Sequence, residues 1–136
     1  MKRIGIIGAR SRDSYKDYEL LRIEFDKVYE DGDIIVSGHC PQGGDRMAED
    51  IAKELDLTEE NGKLILHRPD WDKFGNGAGF VRNKFIARDS DILIAVVKKS
   101  REGGTEDTIS TATKQGKEII LVPQVSIEDF DPLDEI

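Results

Sequence analysis

The chain has one cysteine, Cys40, and two histidines in 136 residues. A single cysteine excludes an internal disulfide and any cysteine-based metal cluster. His39 and Cys40 are neighbours, but no third ligand follows at metal-site spacing, so no metal is expected. Long apolar runs are missing too. The longest, Ile92–Val97, is far too short to span a bilayer, so no membrane partner is expected. The first residues, Met1-Lys2-Arg3-Ile4-Gly5, enter a strand-like run without the layout of a signal peptide, and the default compartment is the cytoplasm. Basic charge is in short supply: 20 Lys and Arg stand against 28 Asp and Glu, for a net charge of -8. That balance argues against sequence-independent binding to nucleic acid, which needs clustered cations on phosphates. Gly-x-Gly-x-x-Gly is absent, as is the Gly-Lys-Ser/Thr of a P-loop, so neither standard nucleotide signature applies.

Short apolar runs do alternate with amphipathic stretches. Ile4–Gly8, Ile34–Val36, Leu64–His67, Ile92–Val97 and Ile119–Val122 read as buried strands. Between them, Tyr18, Leu21, Phe25 and Val28 recur at helical spacing over 15–30, and Met47, Ala48, Ile51, Ala52 and Leu55 form a second apolar face. Further helices are expected over 78–88 and from Thr105 to a stop at Gly116, with a long Gly-rich connection over 68–79. Strict alternation of strand and helix requires crossover connections. The expected fold is a single Rossmann-like, doubly wound α/β domain over 1–122, a parallel sheet of about five strands with helices on both faces. Residues 123–136 follow as an acidic tail. The tail holds five carboxylates and no basic residue, which leaves -3 on the rest of the chain. It reads as a solvated end, the alternative being a protein-interaction segment.

In such sheets a ligand lies at the carboxyl ends of the strands, so the loops that follow each strand are the place to look. The first, Gly8-Ala9-Arg10-Ser11-Arg12, offers backbone amides, a hydroxyl and guanidiniums able to hold phosphate oxygens. The second, Ser37-Gly38-His39-Cys40-Pro41-Gln42-Gly43-Gly44-Asp45, brings two glycines to a helix start, where the backbone can approach an anion closely. Asp45 falls in the first turn, where it either complements the helix dipole or accepts hydrogen bonds from a sugar or base. The third, Glu102-Gly103-Gly104-Thr105, opens the last helix beside Lys98, Lys99 and Arg101, and is either a phosphate cradle or a Gly-rich turn capped by Thr105. The middle loop adds Trp71, a base-stacking or core-covering residue, and then Arg82 and Asn83.

The ordered set resembles the YspA-type (YpsA-related) branch of the SLOG superfamily of Rossmann-like nucleotide-ligand-binding domains. The residues that carry the resemblance run from Arg3 to Val122. They are Gly8-x-Arg10, Ser37-Gly38, Gly43-x-Asp45-Arg46-x-Ala48, Asp70-Trp71-x-x-x-Gly75-x-x-Ala78-Gly79-x-x-Arg82-Asn83, Ser90-Asp91-x-Leu93-Ile94-Ala95 and Gly104-Thr105-x-x-Thr108-Ile109-x-x-Ala112. Members are frequent in bacteria and phages, often without an assigned activity. The resemblance implies a pocket for a phosphorylated nucleotide or nucleotide-derived ligand, its phosphate between the Gly43-Gly44 and Gly104-Thr105 helix starts. Gly8, Arg10, Ser11, Gly38, Gly43, Gly44, Asp45, Trp71, Arg82, Asn83, Gly104 and Thr105 are the candidate ligand-binding residues. The superfamily often pairs, so a homodimer is an expectation.

The distantly related Lonely Guy (LOG) phosphoribohydrolases carry Pro-Gly-Gly-x-Gly-Thr-x-x-Glu and an upstream Arg. Here Arg82 and Gly104-Thr105 match, but Thr108 stands where the catalytic Glu would be. Asp107 is one residue out of register, about 100° around a helix. If the chain is an enzyme, the candidate catalytic carboxylates are Asp45 and Asp107, cleaving the N-glycosidic bond of a nucleoside monophosphate. A DNA-handling accessory role is the weaker alternative, opposed by the acidic charge. No cofactor is expected.

Overall fold

Alternation of inward and outward side chains along each strand sorts the core into two layers. The computed structural model describes residues 1–124, and the tail residues 125–136 lie outside them. Five parallel strands, β1 (Arg3–Gly8), β2 (Ile34–Ser37), β3 (Leu64–Leu66), β4 (Ile92–Val96) and β5 (Glu118–Val122), form one sheet in the order β3-β2-β1-β4-β5. The helices between them are α1 (Tyr15–Val28), α2 (Gly44–Glu54), α3 (Trp71–Phe74), α4 (Ala78–Asp89) and α5 (Gly104–Lys114), with a short 3-10 turn over Gly75–Gly77.

Ile4, Ile6, Ile35, Ile94 and Val96 point to one face, where Leu21 and Phe25 of α1 and Met47 and Ile51 of α2 cover them. Ile7, Val36, Leu93, Ala95 and Val97 point to the other, against Ile86 and Ala87 of α4 and Ile109 and Ala112 of α5. Phe25 and Leu21 are fully buried, worth roughly 1.5–3 kcal/mol each. The expected doubly wound domain is therefore present, with helices on both faces. Strand and helix limits differ from the expected ones by a residue or two, because end residues are set by caps and pairing partners. α3 falls inside the stretch expected to be a plain connection. It forms because Asp70 accepts the Lys73 amide as an N-cap.

β1 sits at the centre and is paired to β2 on one side and β4 on the other. The chain leaves β1 through α1 on one face and leaves β4 through α5 on the opposite face, so the loops after β1 and β4 part there. That divergence is the switch point at which parallel α/β sheets open a crevice. No helix among the described residues is long and apolar enough to cross a membrane.

Candidate functional site

A cavity of about 430 Å³ occupies the switch point. Its floor is Ile7 and Gly8 at the end of β1, and its walls come from the three Gly-containing loops and from α4. The sequence-predicted residues Gly8, Arg10, Ser11, Asp45, Arg82, Asn83, Gly104 and Thr105 all line it. Cys40, Lys98, Glu102, Gly103 and Thr108 line it as well. Gly38, Gly43, Gly44, Trp71 and Asp107 do not.

Each of those five has a definable place. Gly38 sits behind the lining: a Cβ there would stand 2.8 Å from both Arg82 Nη1 and Asp45 Oδ2. Its carbonyl oxygen accepts from Arg82 Nη1 at 2.9 Å, so the missing side chain lets the guanidinium cross to the backbone. Gly43 and Gly44 pack against the first loop. A side chain on Gly44 would overlap the Ile7–Gly8 backbone, and Gly43, with φ of 76°, stands against Ala9. Trp71 is largely exposed on α3. Asp107 turns its Oδ2 to Asn83 Nδ2, 3.2 Å away, while Thr108 takes the inward position, buried and donating to the Gly104 carbonyl.

The helix starts differ in what occupies them. The hydroxyl of Ser14 accepts the Asp17 amide of α1, and the Asp17 carboxylate returns the bond to the Ser14 amide, a complete capping box. The Gly43 amide at the start of α2 donates to Asp13 Oδ1 at 2.8 Å, and Arg46 Nε donates to the same oxygen at 2.6 Å. Those bonds hold the Asp13 carboxyl below its ordinary pKa, the Arg46 bond first. At α5 no side chain among the described residues caps the helix, and Gly103, Gly104 and Thr105 face the cavity. Its first-turn carboxylates are engaged elsewhere: Glu106 with Arg101 Nε at 2.8 Å, Asp107 with Asn83. Among the described residues, Arg10 and Lys98 form no ion pair. Uncapped amides at a helix start, with cations around them, favour negative charge.

Across the cavity stands Asp45, 7% exposed. Burial pushes its carboxyl above the ordinary value, and the Arg82 guanidinium, the Cys40 amide at 3.2 Å and the Ser37 hydroxyl at 3.2 Å oppose that rise. Ser37 has one proton and lies closer to the Ile6 carbonyl oxygen, at 2.6 Å. The crevice thus has an anion-receptive side at α5 and a buried carboxyl at α2.

Arg12 is the residue that sequence reasoning placed wrongly. It reads as a solvated or phosphate-holding guanidinium, yet it is 2% exposed. Nη1 donates to the carbonyl oxygens of Val97, at 2.9 Å, and Val122, while Nε and Nη2 meet Asp17. It fastens the first loop to the ends of β4 and β5 and is a structural group.

The fold and crevice define a parallel, doubly wound α/β domain with its opening at the strand carboxyl ends. The sequence matches no protein-family model, and no curated protein matches it. Among solved structures, the chain is similar to the molybdenum cofactor binding protein of the phototrophic bacterium Rippkaea orientalis. The TM-score is 0.62 at 21% identity, over 91% of this chain and 77% of that one. At that identity the likeness establishes the shared fold. Among the described residues no group of three His, Cys, Asp or Glu side chains is arranged to hold a metal ion.

Proposed function

We propose that this domain binds a phosphorylated nucleotide or nucleotide-derived small molecule in the switch-point crevice. The observation that carries the reading is the uncapped start of α5, whose Gly103–Gly104–Thr105 turn lines a 430 Å³ cavity together with Arg10, Arg82 and Lys98. The phosphate would take the α5 amides, with Arg10 and Lys98 neutralising its charge. The Asp45 side would receive the sugar or base, with Arg82 and Asn83 shaping the wall between. The resemblance to YspA-type SLOG domains supports the same assignment. The cofactor-binding name of the structural neighbour supports small-molecule binding at a coarse level only.

A nucleotide panel in a thermal-shift assay, with mass spectrometry of small molecules released from gently purified protein, tests the reading. A ligand that binds the folded state raises the melting temperature by mass action. Stabilisation by nucleoside phosphates and not by the parent nucleosides is expected. No stabilisation by any of them would contradict the proposal.

Asp45 favours a second reading as an N-glycosidic hydrolase. A buried carboxyl with a raised pKa can hold a proton and deliver it to a leaving base. Release of free base from a nucleoside monophosphate, lost in Asp45→Asn, would support this activity; intact nucleotide after long incubation would leave binding alone.

A further inference from the structure

Four aromatic side chains stand at the surface within one segment. Trp71 and Phe74 of α3 and Phe80 and Phe85 of α4 are 57%, 40%, 59% and 39% exposed. α3 packs on α4 and buries none of its own residues. α4 buries Ala78, Asn83, Ile86 and Ala87 and turns Phe80, Lys84 and Phe85 outward. Single exposed apolar side chains are ordinary, but aromatic rings gathered on one face mark an interaction surface.

Charge restricts what this face can meet. The chain as a whole carries -8, which opposes self-association over most of its surface. Residues 70–89 depart from that balance, with Asp70, Asp72 and Asp89 against Lys73, Arg82, Lys84 and Arg88. Most of these groups are already engaged. Asp70 caps α3, Arg88 pairs with Asp89 at 2.9 Å, Arg82 turns into the crevice, and Lys73 lies 5.2 Å from the Phe74 ring centroid. That leaves Asp72 and Lys84, one charge of each sign, both exposed and without an ion pair among the described residues. Such a face suits neither a polyanion nor a polycation. It suits a copy of itself, because a two-fold axis sets each group of one copy against the opposite group of the other.

We infer that the outward face of α3 and α4 pairs with the same face of a second copy of this chain. α4 would run antiparallel to its counterpart across a two-fold axis near Phe80, where the two Phe80 rings meet. Lys84 and Phe85 lie about 6 Å further along the helix, toward the second copy's α3. Lys84 would face Asp72 of the second copy, and Phe85 would lie against its Trp71 and Phe74. The four rings expose roughly 400 Å² per copy, half of the ~800 Å² that each partner gives to a standard interface. Asn76, Val81 and the stems of Lys73 and Lys84 add to that area. The rings supply the affinity and the charges fix the register, since exposed ion pairs contribute little by themselves. From its other side α4 turns Arg82, Asn83 and Ile86 into the crevice, so the pair would back the crevice wall of each copy.

Trp71 is the one tryptophan, so the full-length chain carries its own reporter. Sedimentation velocity from micromolar to millimolar concentration, with acrylamide quenching of Trp71 on the same samples, tests the inference. The wild type should pass from monomer to a species of twice the mass, and quenching of Trp71 should fall over the same range. Phe80→Glu should abolish the dimer. Lys84→Glu should raise its dissociation constant about tenfold or more, because like charges then face each other. The double variant Asp72→Lys/Lys84→Glu exchanges the two charges and should restore assembly. Melting temperatures of the dilute variants should match the wild type, since all three positions are exposed. A wild type that stays monomeric at millimolar concentration would overturn the inference. So would a dimer that survives Phe80→Glu with Trp71 still accessible, which would assign the contact to another face. A double variant no better than Lys84→Glu alone would overturn it as well.

Discussion

Asp13 accepts the amide hydrogen of Gly43 at 2.8 Å and so closes the start of α2 with a carboxylate of the chain's own. Among the described residues the equivalent position at α5, Gly103, has no such partner, and it faces the cavity. Two Gly-Gly helix starts that look alike in sequence are thus unlike in structure: one joins the loops together, the other faces the cavity.

That asymmetry separates two glycine substitutions. Gly44→Ala forces a Cβ into the Ile7–Gly8 backbone, which cannot yield as a side-chain tip does. A destabilisation of about 3 kcal/mol or more is expected, read by urea denaturation. At Gly104 the nearest atom to an added Cβ is Asn83 Nδ2 at 3.9 Å, so Gly104→Ala should change stability by less than about 1 kcal/mol. It should still weaken nucleotide binding, because the new methyl enters the cavity lining.

Arg82→Ala removes the 2.9 Å bond to the Gly38 carbonyl and the positive charge facing Asp45. A charge-assisted hydrogen bond contributes about 1.5–3 kcal/mol. Calorimetric titration should therefore show affinity for a nucleoside monophosphate falling about tenfold or more, in a protein that remains folded. Unaltered affinity would place the ligand elsewhere.

Arg12→Met tests the structural assignment of that guanidinium. The substitution strands the Val97 and Val122 carbonyls and leaves Asp17 without its buried partner. Breaking a buried charge network costs about 3–5 kcal/mol, and denaturation should show a loss of that order. A mild effect on stability with a large one on ligand affinity would return Arg12 to the binding residues.

The pH dependence of stability has two opposed components. Asp45 has a folded pKa above its unfolded value, so the folded state holds its proton longer. Its contribution is complete below the unfolded pKa and declines as pH rises through the interval between the two. Asp33 is the reverse case. Burial alone would raise its carboxyl, but the Lys2 ammonium at 2.8 Å and the amides of Lys2 and Glu30, at 2.7 and 2.9 Å, hold it below the ordinary value. Its contribution is present above the unfolded pKa and lost as pH falls through the folded one. Urea midpoints across the acid range should flatten on the alkaline side for Asp45→Asn and on the acid side for Asp33→Asn. Parallel curves for both variants and the wild type would contradict the two assignments.

The strands and the four long helices were legible because each shows a simple pattern: short apolar runs, or apolar residues three and four apart. The crevice loops followed from topology, since strand-helix alternation dictates where ligand-facing ends lie. What periodicity could not supply was the direction of single side chains. Arg12 lies in a polar loop, and only the meeting of β4 and β5 ends supplies the carbonyls that bury it. Gly43 and Gly44 read as a cradle because a close backbone approach looks the same in sequence whether the visitor is a ligand or the β1 loop. Cys40 carries no distinguishing pattern, and Thr108 stands out only as the residue in the place of a catalytic Glu, yet both line the cavity.

The most direct test of the account is a nucleotide titration followed by amide NMR. Addition of a nucleoside monophosphate should shift the amides of Gly103, Gly104 and Thr105 first and furthest, with smaller changes at Arg10 and Asp45 and none at Gly43. Shifts at Gly43 without any at Gly103–Thr105, or no shifts with any nucleotide tried, would contradict the assignment of the α5 start as the anion site.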